Sequence, residues 1–385
     1  MPSSLRSAAI PRPFSNDIHV LIVDLTDADT RIGTAWDDLA EDAAEPNAFG
    51  ERWFVMAGIR HLAPVAGLRL VEIWRGERLI GLVPLCIGRR YGRISVRYTT
   101  NWLHHHSFLG TPLVRRGEER AFWSALLGEL DRAGWAPAFL HLTALTEDGP
   151  VHRGLVAAAA ALGRPCDIVH RFQRAQLDAG LSPQAYYEAH VRKKKRKELK
   201  RLFVRLAEMG EVRTSRLAKA EEVTGWCDDF LALERSGWKG WAGSALASKP
   251  DTAAFFCDVL ADAFRAGRLD MLRIDVNGAA VAMLVNFLTP PGSFSFKIAF
   301  DEEFARFSPG VLIQVENLQL LAREDIAWMD SCAVENHPMI DSLWAGRRPI
   351  IRVSVPLAGV RRRLVFRLCR AVEDAWAWLR RVTGR

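Results

Sequence analysis

Two stretches of the chain, about 200 residues apart, carry the same succession of apolar and polar positions. Gly67–Leu85 reads as a strand, a tight turn at Arg75-Gly76-Glu77, and a second strand. Gly267–Phe287 reads the same way about Asn277-Gly278, a dipeptide suited to the positive φ angles of a two-residue hairpin. A helical, aromatic-rich stretch precedes each hairpin, Phe49–His61 in the first case and Phe255–Phe264 in the second. A strand, a helix and another strand follow each one. These are Ile94–Thr99, Arg120–Ala133 and Phe139–Thr143, then Phe294–Phe300, Pro309–Arg323 and Ile326–Asp330. The pattern predicts a mixed α/β (α+β) protein built from two copies of one unit. The divisions fall at 1–180, 181–360 and a terminal helix over 361–385, with the boundary in the turn-rich Ala179–Pro183.

Charge sharpens this picture. The 385 residues hold 52 Lys and Arg against 45 Asp and Glu, a net of +7, with 49% apolar and 25% charged positions, an ordinary globular balance. The excess is local. Residues 192–205 hold nine basic residues and one acid, and residues 361–385 hold eight arginines and two acids. Leu199, Leu202, Phe203 and Leu206 have helical spacing, so the first segment is a basic helix. Its charged face is either solvated or meets phosphates or an anionic membrane surface. No groove-reading or base-stacking motif accompanies it, so nucleic acid is not expected as a partner. The second segment places Leu364, Leu368, Val372, Trp376 and Leu379 along one face, the pattern of a helix lying at a membrane surface or docked on the core. No apolar run approaches the ~18 residues of a membrane span. Met1–Arg6 lacks the apolar stretch of an export signal, which points to a cytoplasmic protein, peripheral at the inner membrane if the terminal helix docks there. The six scattered cysteines read as reduced, mostly buried thiols, and the His104-His105-His106 run lacks metal-ligand spacing, so no metal is expected.

The chemistry-bearing residues cluster in the second half. Ser308 is placed to cap, and Pro309 to open, a helix whose first turn contains Gly310, with Arg306 nearby, which makes a candidate anion site. Alternation along the preceding strand puts Phe294, Phe296, Ile298 and Phe300 on the core side, and Ser293, Ser295, Lys297 and Ala299 on the other. A lysine on a covered sheet face is costly unless paired, which marks Lys297.

The stretch Phe294–Leu312, with Lys297, Asp301, Arg306, Ser308, Pro309 and Gly310, resembles the signature of GNAT-fold acyltransferases of the CelD/BcsL-like type, distant relatives of the Fem peptidyl transferases. Glu234-Arg-Ser236-Gly237-Trp238-Lys239-Gly240 is similar to a second motif of that family, and the basic helix followed by Glu208-Met-Gly210 fits its pattern. The resemblance covers roughly 180–350 closely and the first half more loosely. It implies two tandem GNAT-like domains and transfer of an acyl group from acyl-CoA to an amine or hydroxyl acceptor. One branch of similar proteins, the bacterial ceramide synthases, acylates a sphingoid base. Other members serve in cellulose or exopolysaccharide synthesis, as acyltransferases or as non-catalytic accessory factors. The usual pyrophosphate loop has a second small residue that Arg306-Phe-Ser-Pro-Gly310-Val311 lacks. Amine acylation needs a proton acceptor, an oxyanion donor and relief for the leaving thiolate. Candidates for these roles are His105 and His106 in the first half, and Glu234, Lys297, Asp301, Glu302, Glu303 and His337 in the second. Arg306, Ser308, Gly310 and Val311 are the candidates for the donor diphosphate, and Trp238, Lys239 and Lys297 for the substrate.

Overall fold

The computed structural model describes residues 17–23, 28–62 and 67–383, so the Met1–Arg6 segment lies outside the described residues. The first lobe runs β1 (Ile18–Val23), α1 (Ala28–Glu41), α2 (Arg52–His61), β2 (Arg69–Arg75), β3 (Arg78–Tyr91), β4 (Ile94–Asn101), β5 (Leu113–Val114), α3 (Glu119–Arg132), β6 (Phe139–Thr146), α4 (Pro150–Ala161) and β7 (Asp167–Asp178). The second opens with α5 (Pro183–His190) and the basic α6 (Lys193–Ala207). It continues with β8 (Val212–Arg216), α7 (Val223–Ser236), α8 (Trp238–Trp241), α9 (Pro250–Arg265), β9 (Leu269–Val276), β10 (Ala279–Thr289), β11 (Gly292–Phe300), α10 (Pro309–Asn317), β12 (Trp328–Asp330), α11 (Pro338–Asp341) and β13 (Gly346–Pro356). The chain closes on α12 (Val360–Thr383). Both predicted hairpins form, as β2–β3 and β9–β10, and Asn277 and Gly278 take φ of 52° and 81°.

The two lobes share one 13-stranded sheet in the order β1-β2-β3-β4-β6-β13-β7-β12-β11-β10-β9-β8, with β5 beside β3. Each lobe's last strand crosses toward the other. β13 pairs with β6 of the first lobe, and β7 pairs with β12 of the second. Separating the lobes therefore means breaking hydrogen-bond ladders as well as a core. That core is aromatic. Phe49 and Phe54 of the first lobe meet Phe255, Phe287, Phe294 and Phe296 of the second in one buried cluster, with Phe54–Phe255 centroids 5.5 Å apart and Phe49–Phe294 5.3 Å apart. Burying each such ring contributes about 1.5–3 kcal/mol.

Two expectations need correcting. Cys227 and Cys257 are not free thiols. They sit on the facing sides of α7 and α9 with Cα atoms 6.0 Å apart, within bridging range, and form a disulfide. No spacing motif marks them, because 30 residues separate them in sequence and only helix packing joins them. Ser308 does not cap α10 with its side chain. It lies in the left-handed region (φ 53°, ψ 52°), whereas a capping side chain needs an extended backbone at that position. The terminal helix docks through Phe366 and Cys369 onto Tyr91 and Phe139, leaving Leu364, Leu368, Val372 and Trp376 exposed. No helix among the described residues is long and apolar enough to cross a membrane.

Candidate active site

Strand β11 defines the site by parting from its neighbour. It pairs in parallel with β12 only at Gly292–Phe294, opposite Trp328–Asp330, and then runs on to Phe300 with no strand on that side. The backbone groups along this edge are thus free of a ladder, and a wedge opens between the two strands. On its other side β11 is irregular. Lys297 faces Val285 and Ser295 faces Asn286, so Phe296 is inserted as a β-bulge.

The bulge overturns the simple alternation expected from sequence. Phe294, Phe296 and Ala299 pack in the cluster formed with α7 and α9, whereas Ile298 and Phe300 pack on the opposite face near Leu312 and Ile313. Ser295 turns toward Gln314 of α10. Lys297 emerges on the α7 and α9 side, where its ammonium lies 5.4 Å from the Phe296 ring and 5.3 Å from that of Phe108.

Around Lys297 the structure gathers charges from three elements. Glu234, buried on α7, accepts from Lys239 Nζ at 2.8 Å and from the Leu246 amide at 2.7 Å. Lys239, on the short α8, also donates to the Ile298 carbonyl at 3.3 Å and so occupies the free edge of β11. Its helix turns sharply off α7. A Cβ on Gly240 would strike the Arg235 carbonyl, which only glycine avoids. Lys297 has no ion-pair or hydrogen-bond partner among the described residues. Burial, and secondarily the charge of Lys239, push its amine down to about 8, with Glu234 opposing. On the β12 side of the wedge stands Cys332, whose thiol is pushed up by burial and by Asp330. Cys332 and Phe108 carry no recognisable sequence signal as site residues, because only the meeting of the lobes places them here.

The histidine run divides. His104 stacks on Phe54 and His106 on Phe255, with centroids 5.3 and 5.5 Å apart, while His105 is exposed. Burial lowers His104 to about 3 and His106 to about 4, and the charge of Lys297 contributes to both shifts, so these rings are neutral at pH 7. All three histidines border a cavity of about 390 Å³ with His61 and Lys249. No group of His, Cys, Asp or Glu able to hold a metal ion occurs among the described residues. The loop is tied down at Phe108, whose carbonyl accepts from Arg174 Nη2 at 2.9 Å. Arg174 in turn shares the fully buried Asp330 with Arg348, at 3.2 Å from each.

The loop after β11 holds the remaining candidates. Asp301 accepts from the Glu303 amide at 2.9 Å and caps the 3₁₀ turn that follows. Glu302 borders a small recess with Trp238 and Lys239. Arg306 lies on the surface over the Phe307 ring, with Nη2 3.6 Å from Met209 Sδ. The amides of Val311 and Leu312 both turn back to the Ser308 carbonyl, at 2.9 and 3.1 Å. Gly310 packs against Phe300 and Met339. His337 accepts from the Ile340 amide and caps α11.

In the first lobe the equivalent wedge is closed. Strand β4 meets β6 only at Thr99 and Thr100, but Asn101 bridges the gap, donating to the Gly110 and Thr143 carbonyls at 2.9 Å and accepting from the Thr143 amide at 3.0 Å. Gly110 is pressed onto the Thr143 carbonyl so closely that a Cβ has no room. In the second lobe no comparable side-chain bridge links β11 to β12 beyond Phe294 among the described residues.

Residues 193–337 match the family of acetyltransferase (GNAT) domains. No curated protein matches the chain. Among solved structures, FemX is 9% identical and is matched over 90% of this chain and 99% of its own, with a TM-score of 0.57. A conserved protein of unknown function from Bacteroides thetaiotaomicron VPI-5482 is 12% identical over 89% of this chain and 100% of its own, with a TM-score of 0.53. A tandem GNAT protein from the clavulanic acid biosynthesis pathway is 17% identical over 89% and 99%, with a TM-score of 0.41. The likeness to FemX and the Bacteroides protein is one of fold and extends over both lobes. The second lobe thus carries a GNAT domain within a tandem mixed α/β architecture.

Proposed function

We propose that the chain is an acyl-CoA-dependent N-acyltransferase working at the β11–β12 wedge, with Lys297 as proton acceptor. The supporting observation is the half-buried Lys297 amine, unpaired and held near 8, beside the free edge of β11 in a domain of the GNAT family. An amine nucleophile attacks the thioester carbonyl carbon, the C–S bond breaks, and the amine proton must leave. Lys297 in its neutral form takes that proton and can return it to the departing thiolate. Backbone amides along the unladdered edge of β11 are placed to meet the charge that develops on the carbonyl oxygen. Lys239 and Glu234 set the Lys297 proton affinity from opposite directions. His106, with so low a basicity, is a neutral wall of the acceptor side and not the base. At the donor end, Arg306 and the first turn of α10 at Ser308 and Gly310 would take the diphosphate. Val311 contributes packing, because its amide is already engaged.

For the acceptor we infer a long-chain amine of the sphingoid-base class. Trp238, 56% exposed, borders the Glu234–Lys239 recess, Trp241 on the same short helix is 81% exposed, and the exposed face of α12 adds a basic, apolar surface suited to a membrane interface. The test is release of free thiol from palmitoyl-CoA with a sphingoid base, for the wild type and for Lys297→Met. Turnover that falls at least a hundredfold in a folded variant supports the reading. No thiol release with any acyl-CoA, and no shift of the melting temperature by CoA, overturns it.

A further inference from the structure

The basic helix α6 takes no part in the proposed catalysis, yet it borders a groove of its own. Leu199, Leu202 and Leu206 bury one face in the core of the second lobe. Between α6 and α10 runs a groove of about 490 Å³, a volume in the range of small-ligand sites. Its floor includes Phe203, Leu312 and Val315, and its rim carries Lys193, Lys197 and Lys200. Phe203 remains 42% exposed although it lies on a strongly charged helix, where solvation favours a polar residue. Arg196, also on the groove, is occupied by the carbonyls of Tyr187 and Val191. The three rim lysines, by contrast, have no ion-pair or hydrogen-bond partner among the described residues. Glu188 and Glu316 reach the wall but do not pair with them.

An apolar trough edged by three unneutralised ammonium groups complements one kind of molecule. We propose that the α6–α10 groove binds a single-chain anionic amphiphile, with the alkyl chain on Phe203, Leu312 and Val315 and the phosphate or carboxylate head on Lys193, Lys197 and Lys200. The groove lies over the sheet face that carries α10, opposite the face on which Lys297 emerges. The groove shares α10 with the proposed donor end at Ser308 and Gly310, so a CoA control separates the two sites.

The experiment is calorimetric titration of the full chain with monomeric alkyl phosphates of eight, ten and twelve carbons. The controls are inorganic phosphate, dodecanol and CoA. The expected result is saturable binding that tightens by up to about fourfold per methylene, the equivalent of one buried CH₂. Phosphate alone should not bind, and dodecanol should bind at least tenfold more weakly than dodecyl phosphate. Val315→Trp, which fills the trough, should abolish binding and spare the melting temperature. The triple Lys193→Gln/Lys197→Gln/Lys200→Gln variant should weaken the phosphate at least tenfold and leave dodecanol unchanged. Binding insensitive to both variants, or equal for phosphate with and without a chain, overturns the proposal. So does absence of saturable binding in the wild type, or displacement of the amphiphile by CoA alone, which would assign the groove to the donor.

Discussion

At the scale of single residues, the site is organised by what Glu234 holds. Its two oxygens bind the Lys239 ammonium and the Leu246 amide, and both partners depend on it because it is buried. Replacing it with alanine strands a partly buried lysine and an amide, so Glu234→Ala should lower unfolding free energy by about 3 kcal/mol, measured by urea denaturation. The histidines make a different prediction. Their folded pKa values, about 3 and about 4, lie below the ordinary value of 6.5. As pH falls below 6.5 the unfolded chain takes up protons that the native rings refuse, so stability is lost progressively down to about pH 4 and below. Glu51 works in the opposite sense, because burial raises it to about 7 and the native state binds its proton first. Comparing melting temperatures of the wild type and a His104→Phe/His106→Phe variant isolates the first effect. The variant should lose less stability than the wild type between pH 6.5 and 4, and parallel curves would remove histidine desolvation as the cause. The sequence singled out Lys297 and Glu234 from their motifs, but not the reason for Lys297's importance. The face it occupies depends on one inserted residue, Phe296, and nothing in the run Phe294–Phe300 marks where a bulge falls.

At the scale of elements, local pattern carried far. The hairpins, α3, α6, α9, α12 and the two lobes' shared order were legible because each rests on short-range periodicity or a turn dipeptide. What was not legible are the contacts made at long range. Strand exchange between β7 and β13 leaves no local trace, nor does the Cys227–Cys257 bridge. The Arg174–Asp330–Arg348 cluster is a third case, assembled from β7, β12 and β13. It joins the lobes and ties down the Phe108 loop, so on the proposed reading its members hold Phe108 beside Lys297. Asp330→Asn leaves the buried Arg174 without its ion-pair partner and Arg348 with only the charge of Glu45, and should cost about 3–5 kcal/mol. Arg174→Met also frees the Phe108 carbonyl, and should lower kcat more than it changes KM for acyl-CoA. The terminal helix is tested by Leu364→Ser/Leu368→Ser, which spares the docked Phe366 and Cys369. Loss of binding to anionic vesicles is the expected outcome, read by co-sedimentation, and unchanged binding would leave α12 a purely structural helix.

At the scale of the whole molecule, duplication has been put to unequal use. Both lobes keep the strand–helix–strand segment where a wedge can open, but Asn101 closes one and Lys297 lies beside the other. The first lobe contributes Phe108 beside Lys297, and on the proposed reading His106 forms a wall of the acceptor side. Its aromatic core with the second lobe is what holds that wall in place. Phe255→Ala, at the centre of the contact, should cost about 3–5 kcal/mol and loosen the histidine stacking along with it.

The pH dependence of thiol release tests the central claim most directly, measured as kcat/KM for acyl-CoA and amine in the wild type, Lys239→Met and Glu234→Gln. With Lys297 as proton acceptor, the wild-type rate rises with pH through a limb near 8. Lys239→Met removes a neighbouring positive charge and shifts that limb to higher pH, while Glu234→Gln removes a negative one and shifts it lower. A limb that stays in place in both variants, or moves the same way in both, contradicts the assignment of Lys297 as the base.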